Sequence, residues 1–254
     1  MRKITLMERH NIKEMNKTQM INTAHKLPIV FVLDTSGSMN YEDNIESLNK
    51  GIQDFYSTIL SDEEAKLFME ICIVTFGQGG GQLHASFGDP SKHELKPFKA
   101  EGSSPLCSAV LMALDLLEDQ IDLYNENGIL SHPPILITLT DGEPTTEEYV
   151  DGVPVLLTKQ MDEYKIAKKR FDYFKNQMHL DAYSIYFGDD IENKFFLEQF
   201  ASSNKNVKKL DEMNIGEFFK ELAKSTSLLS KVAPTGDSQL VMDYDIFEDL
   251  KKNN

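Results

Sequence analysis

The stretch "PIVFVLDTSGSMN", residues 28–40, runs through the apolar residues Ile29 to Leu33 straight into Asp34, then sets Thr35, Ser36 and Ser38 around one glycine. Ending an apolar run on a carboxylate is costly unless the charge is paired or ligated. A short apolar run rich in Ile and Val reads as a parallel strand covered on both faces. The small oxygen-bearing residues that follow then lie in a loop at the strand's carboxyl end. What Asp34, Ser36 and Ser38 hold there is a phosphate, the proton of a nucleophile, or a metal ion.

The same pattern recurs in "ICIVTF" 71–76, "PILITL" 134–139 and "AYSIYF" 182–187. Between these runs, apolar residues step by three or four, the period of an amphipathic helix. They do so at Ile45, Leu48, Ile52, Phe55 and Ile59, and again at Leu106, Val110, Ala113 (or Leu114) and Leu117. Tyr164, Ala167, Phe171, Phe174 and Met178 form a third set, and Ile215, Phe218, Leu222 and Leu229 a fourth. "LHASF", 83–87, reads as an antiparallel edge strand reached through "GQGGG"; a short helix around 193–200 and a short strand around 206–210 complete the series. Strand alternating with helix predicts an α/β fold: a doubly wound, mostly parallel, Rossmann-like central sheet flanked by helices.

The chain has 254 residues, 41% of them hydrophobic, which is enough for a sizeable core and against global disorder. No internal repeat and no Pro-, Gly- or Ser-rich linker interrupts it, so a single domain is expected over 27–230. Residues 1–26 form a basic extension, with Arg2, Lys3, Arg9, Lys13, Lys17 and Lys26 against Glu8 and Glu14. Residues 231–254 form an acidic-hydrophobic tail that either docks on its own domain or a partner, or frays. A net charge of −15 argues against nucleic acid or an anionic membrane as partner. Without an apolar signal segment or a spanning run, a cytoplasmic protein is expected. Cys72 and Cys107 lie in apolar surroundings and read as buried reduced thiols.

In open parallel sheets, ligands sit beyond the carboxyl ends of the strands. Three oxygen-rich places fall there: Asp34-Thr-Ser36-Gly-Ser38, "EGSSPL" at 101–106, and Asp141-Gly142 in "LITLTDGEPT" at 136–145. Oxygen donors without histidine or cysteine suit a hard divalent cation: Mg²⁺, Mn²⁺ or Ca²⁺. Read singly, Ser38 could merely cap a helix beginning near Tyr41, and Asp141 could merely open a turn with Gly142.

The three pieces in this order resemble the von Willebrand factor A domain and its metal-ion-dependent adhesion site. DxSxS alone is short; with "GSSPL" and "TDGEPT" following it on the expected sheet it is specific. The resemblance spans 28–230 and is similar in phrasing to a compact bacterial branch, the TerY-like tellurium-resistance proteins. It implies a non-enzymatic module that binds a protein partner, whose Asp or Glu completes the metal shell. By family analogy it further implies a stress-response or defence assembly, with kinase or phosphatase neighbours. Position by position, Ser36 and Ser38 match the hydroxyl ligands, Asp34 and Asp141 the acidic positions, and Ser104 the position where threonine is usual. Serine there keeps the oxygen but loses the methyl that restricts χ1; Ser103 is its rival by one register.

Two alternatives stand beside this reading. A phosphatase of the haloacid-dehalogenase type also puts a nucleophilic aspartate after its first strand, but wants a general acid two residues on, where Ser36 stands. A structural subunit would dock through its tail without metal. "FGQGGG", 76–81, leads into a strand and not a helix, so it is no dinucleotide loop. The histidines show no HExxH spacing, against zinc, and most are expected at the surface or satisfied by local hydrogen bonds. "EPTTEEYVDG", 143–152, reads as a solvated acidic loop beside the metal, or one that selects a partner with basic residues around its acid.

Overall fold

The structure, a computed structural model, describes residues 25–186, 194–210, 215–231 and 234. The basic extension up to residue 24, Phe187, Asn193 and nearly all of the C-terminal tail lie outside the described residues.

Nine strands are described: β1 (His25–Asp34), β2 (Met69–Gly77), β3 (Gly80–Gly88), β4 (Leu130–Ser131), β5 (Ile135–Thr140), β6 (Thr145–Val150), β7 (Val153–Leu156), β8 (Asp181–Tyr186) and β9 (Val207–Lys209). The helices are α1 (Asn44–Leu60), α2 (Ala65–Phe68), α3 (Leu106–Glu126), α4 (Asp162–Gln177), α5 (Phe195–Gln199) and α6 (Ile215–Ser230). The sheet order is β3-β2-β1-β5-β8-β9, parallel throughout except for β3, with β4 pairing the start of β1. The strand that ends on Asp34 is therefore central.

Both faces of this sheet are covered, which is why the strands read as unbroken apolar runs. Ile29, Phe31, Leu33, Ile71, Ile73, Ile137 and Ile185 point to one side, under α1 and α6. Val30, Val32, Cys72, Val74, Phe76, Leu136 and Ala182 point to the other, under α3 and α4. Both cysteines are free and buried, and burial pushes each thiol well above its ordinary value.

Three expectations need correcting. β1 begins at His25, so His25 and Lys26, read as the end of the basic extension, are strand residues and buried. Lys26 survives burial because its Nζ sits 3.3 Å from a carboxylate oxygen of Glu70 and donates to the Leu67 carbonyl at 2.8 Å. His25 and His132 are core residues: His25 stacks on Phe68, meets His132 edge-on, and bonds the Ser230 carbonyl through Nε2. Finally, the acidic stretch after Asp141 is no loop. It forms the hairpin β6–β7, turned by Asp151 and Gly152, both at positive φ. Asp-Gly favours that two-residue turn because both positions must enter the left-handed region.

Candidate metal centre

Asp34 is the last residue of β1 and is fully buried. Its Oδ1 accepts the Ser36 amide at 2.8 Å, folding the chain back over the strand end. Its Oδ2 accepts the Thr140 hydroxyl at 2.5 Å, from the end of neighbouring β5. Residues Gly37–Asp43 then form a 3-10 turn with Ser36 at the N-cap position, and α1 starts only at Asn44. Ser38 thus lies inside the turn and caps nothing.

The hydroxyls form a chain across the sheet edge. Ser36 Oγ lies 2.9 Å from Ser38 Oγ, and Ser38 Oγ donates to Asp141 Oδ1 at 2.8 Å. Ser104 arrives from the third loop. A side chain placed on Gly142 would meet Ser38 Oγ at 3.6 Å and Ser104 Oγ at 3.9 Å, so both hydroxyls face the same small space. Ser103 turns away, donating to the Thr146 carbonyl at 3.4 Å. That separates the two registers: Ser104 faces the cluster and Ser103 faces β6. The Ser104 backbone is pinned to Thr145, whose Oγ1 accepts the Ser104 amide and whose amide donates to the Ser104 carbonyl, both at 2.9 Å.

Two glycines let the loops meet. A Cβ on Gly77 would lie 2.6 Å from the Thr35 carbonyl oxygen, and one on Gly102 would lie 2.5 Å from the Gln78 backbone. Gly102 also holds φ at +86°, a conformation that glycine adopts without strain. The Gly37 amide bonds the Gly102 carbonyl at 3.0 Å, and the Glu101 amide bonds the Thr35 carbonyl at 2.8 Å.

The five residues singled out in the sequence therefore converge: Asp34, Ser36, Ser38 and Asp141 through hydrogen bonds, and Ser104 across Gly142. Thr140 and Thr145 were missed. Thr140 sits immediately before Asp141, and its carboxylate partner is invisible in a linear reading.

Burial, reinforced by the charge of Asp141, pushes the Asp34 carboxyl up to about 7, against the pull of its hydrogen bonds from Ser36 and Thr140. Two carboxylates and three hydroxyls with no nitrogen or sulfur donor are the donor chemistry of a hard divalent cation. Among the described residues, no group of three or more His, Cys, Asp or Glu gathers as a metal site. Nor is any helix among them long and apolar enough to cross a membrane.

A mostly parallel sheet between helices, with these loops at its carboxyl edge, is the von Willebrand factor A type of fold. Solved structures carry that statement. The vWF domain of the type V pili tip protein Mfa5 from Porphyromonas gingivalis superposes with a TM-score of 0.60 at 12% identity, over 85% of this chain and 99% of that one. The pilus adhesin SpaC from Lactobacillus rhamnosus GG gives 0.59 at 15% identity, over 82% of this chain and 31% of that one. In sequence, the chain is 27% identical over 212 residues to inter-alpha-trypsin inhibitor heavy chain H1 from Bos taurus. That match covers 80% of this chain but 19% of the relative, so the chain spans only part of that protein's length. No protein-family model matches the chain.

Proposed function

We propose that this chain is a protein-binding module that holds a divalent cation, Mg²⁺, Mn²⁺ or Ca²⁺, and through it captures an Asp or Glu of a partner protein. The observation carrying this reading is the convergence of two aspartates and three serine hydroxyls from three distant loops on one sheet edge. When bound, the ion supplies an open coordination position and the positive charge that lets both aspartates stay ionised.

The chain's own residues do the rest. Thr140 and the Ser36 amide orient Asp34, Ser38 positions Asp141, and Thr145 fixes the loop that presents Ser104. No step needs a nucleophile: two residues after Asp34, where a phosphatase would want its general acid, stands a serine whose hydroxyl pairs with Ser38. A binding role and not catalysis also agrees with the fold's use in a pilus adhesin. The stress-response or defence setting, with kinase or phosphatase neighbours, rests on the resemblance to TerY-like proteins.

Titration of Mg²⁺ into the full chain tests the reading, alongside partner capture with and without EDTA. Saturable binding and chelator-sensitive capture, both lost in Asp34→Ala/Ser36→Ala with the fold intact, are expected. Capture that survives EDTA and the double substitution sinks it.

A further inference from the structure

Beside the oxygen cluster lies a second feature that the metal reading does not use. A cavity of about 310 Å³ opens between the end of β2, the start of β3 and the segment 96–101. This is at the small end of the range for ligand pockets, about 300–1,000 Å³. It shares walls with the metal centre. Thr35, the residue between Asp34 and Ser36, lines it, and so does Glu101, whose amide bonds the Thr35 carbonyl.

Its charge is unusual for this molecule. On a chain of net charge −15, the cavity is lined by Lys96 and Lys99, both exposed, and neither forms an ion pair among the described residues. Glu101 is the one carboxylate in the lining, leaving two cations to one anion. Burial holds the neighbouring His84 imidazole below its ordinary value, and its Nε2 is buried without a hydrogen-bond partner. The ring packs on Phe98, with 4.6 Å between centroids, and both residues line the cavity. The two ammonium groups are therefore its cationic features.

We propose that this cavity receives a second acidic side chain from the same partner, so that the recognised surface presents two carboxylates, one for the metal and one for Lys96 and Lys99. The inference rests on reading the oxygen cluster as a metal-gated carboxylate site. Without local cations, an acidic partner would be repelled by the rest of this body; the lysines offset that repulsion beside the metal. A partner with one isolated acid fills the metal position and leaves the cavity to water.

A displayed random-peptide library selected on the full chain in Mg²⁺ supplies the probe: the tightest peptide, with each of its acidic residues replaced in turn by alanine. Selection is expected to return peptides with two acids. Replacing one acid abolishes binding, and replacing the other weakens it about fivefold, the size of two partly exposed ion pairs. Lys96→Gln/Lys99→Gln weakens the two-acid peptide by the same factor and leaves the peptide retaining only the metal-binding acid unchanged. Lys169→Gln/Lys205→Gln, which removes the same charge elsewhere, has no such effect. Equal affinity of wild type and Lys96→Gln/Lys99→Gln for the two-acid peptide overturns the proposal, as does a selection that returns single-acid peptides. Failure of the metal reading is seen separately, as binding of the metal-acid peptide that EDTA leaves unchanged.

Discussion

Thr140 Oγ1 donates to Asp34 Oδ2 across 2.5 Å, joining the ends of two neighbouring parallel strands whose residues are 106 positions apart. The bond sets which way the Asp34 carboxylate faces and leaves its other oxygen to the Ser36 amide. Replacing Thr140 with valine keeps the shape and removes the donor. The expected result is a loss of Mg²⁺ or Mn²⁺ affinity of about ten- to a hundredfold, the usual cost of losing an orienting partner behind a ligand. Calorimetric titration measures it, and an unchanged affinity would mean that Thr140 does not position Asp34.

Ser104 offers a test in the opposite direction. A methyl at this position would restrict χ1, removing rotamers that a bound ion must otherwise freeze out. Ser104→Thr is expected to tighten metal binding about twofold, and Ser104→Ala to weaken it by more. The order Thr, Ser, Ala in affinity, measured on chains of equal thermal stability, is the readout. Equal affinities for Ser and Ala would remove Ser104 from the ligand set.

At the other edge of the sheet, Lys26 and Glu70 form a buried pair in which both Glu70 oxygens are partnered. Gln120 Nε2 and Tyr124 Oη each donate to Glu70 Oε2 at 2.7 Å. Glu70→Ala leaves a buried ammonium group with only the Leu67 carbonyl, and is expected to cost about 3–5 kcal/mol. Lys26→Met/Glu70→Gln removes both charges while keeping an oxygen for the Gln120–Tyr124 pair, and should recover most of the loss. Denaturant unfolding distinguishes the two, and metal affinity of the folded fraction should change in neither.

Asp62 ties the last helix to the body. Its Oδ2 accepts from Lys231 Nζ and Ser227 Oγ, both at 2.6 Å, while Oδ1 caps the start of α2 through the Ala65 amide at 3.1 Å. Lys231 first, then Ser227, hold its carboxyl well below the ordinary 3.8. Because the folded value is the lower one, the stabilisation is fully present above pH 3.8 and is lost as pH falls through the folded value. Asp62→Asn, which keeps the cap and removes the charge, should therefore cost about 0.5–1 kcal/mol at neutral pH. Its difference from wild type should close progressively below pH 3.8. A gap that stays constant down to strong acid would show that the carboxylate's charge plays no part.

Much of this was legible along the chain. The helix periods reappear in α1, α3, α4 and α6, with α3 running nine residues beyond the last periodic position, Leu117. The apolar runs reappear in β1, β2, β5 and β8, and the ends of β1, β2 and β5 differ by one to four residues. The β6–β7 hairpin was not read: its turn signal, Asp151-Gly152 between Val150 and Val153, lies among acids that gave the stretch the composition of a solvated loop. Lys26 is a different case. Its neighbours in sequence, Thr23 to Ile29, hold no acid to pair with it, and only Glu70, brought alongside by the parallel pairing of Pro28 with Glu70, makes its burial possible.

By itself, the sequence determined the order of strands and helices and the three small-oxygen loops, because period and spacing are local and covalent. It also determined that Asp34, Ser36 and Ser38 share one turn. Tertiary structure alone decided that Ser104, and not Ser103, faces them, that Thr140 orients Asp34, and that two lysines line the adjoining cavity. Those outcomes depend on strand order and on how closely loops pass at Gly77 and Gly102, and packing between distant segments sets both.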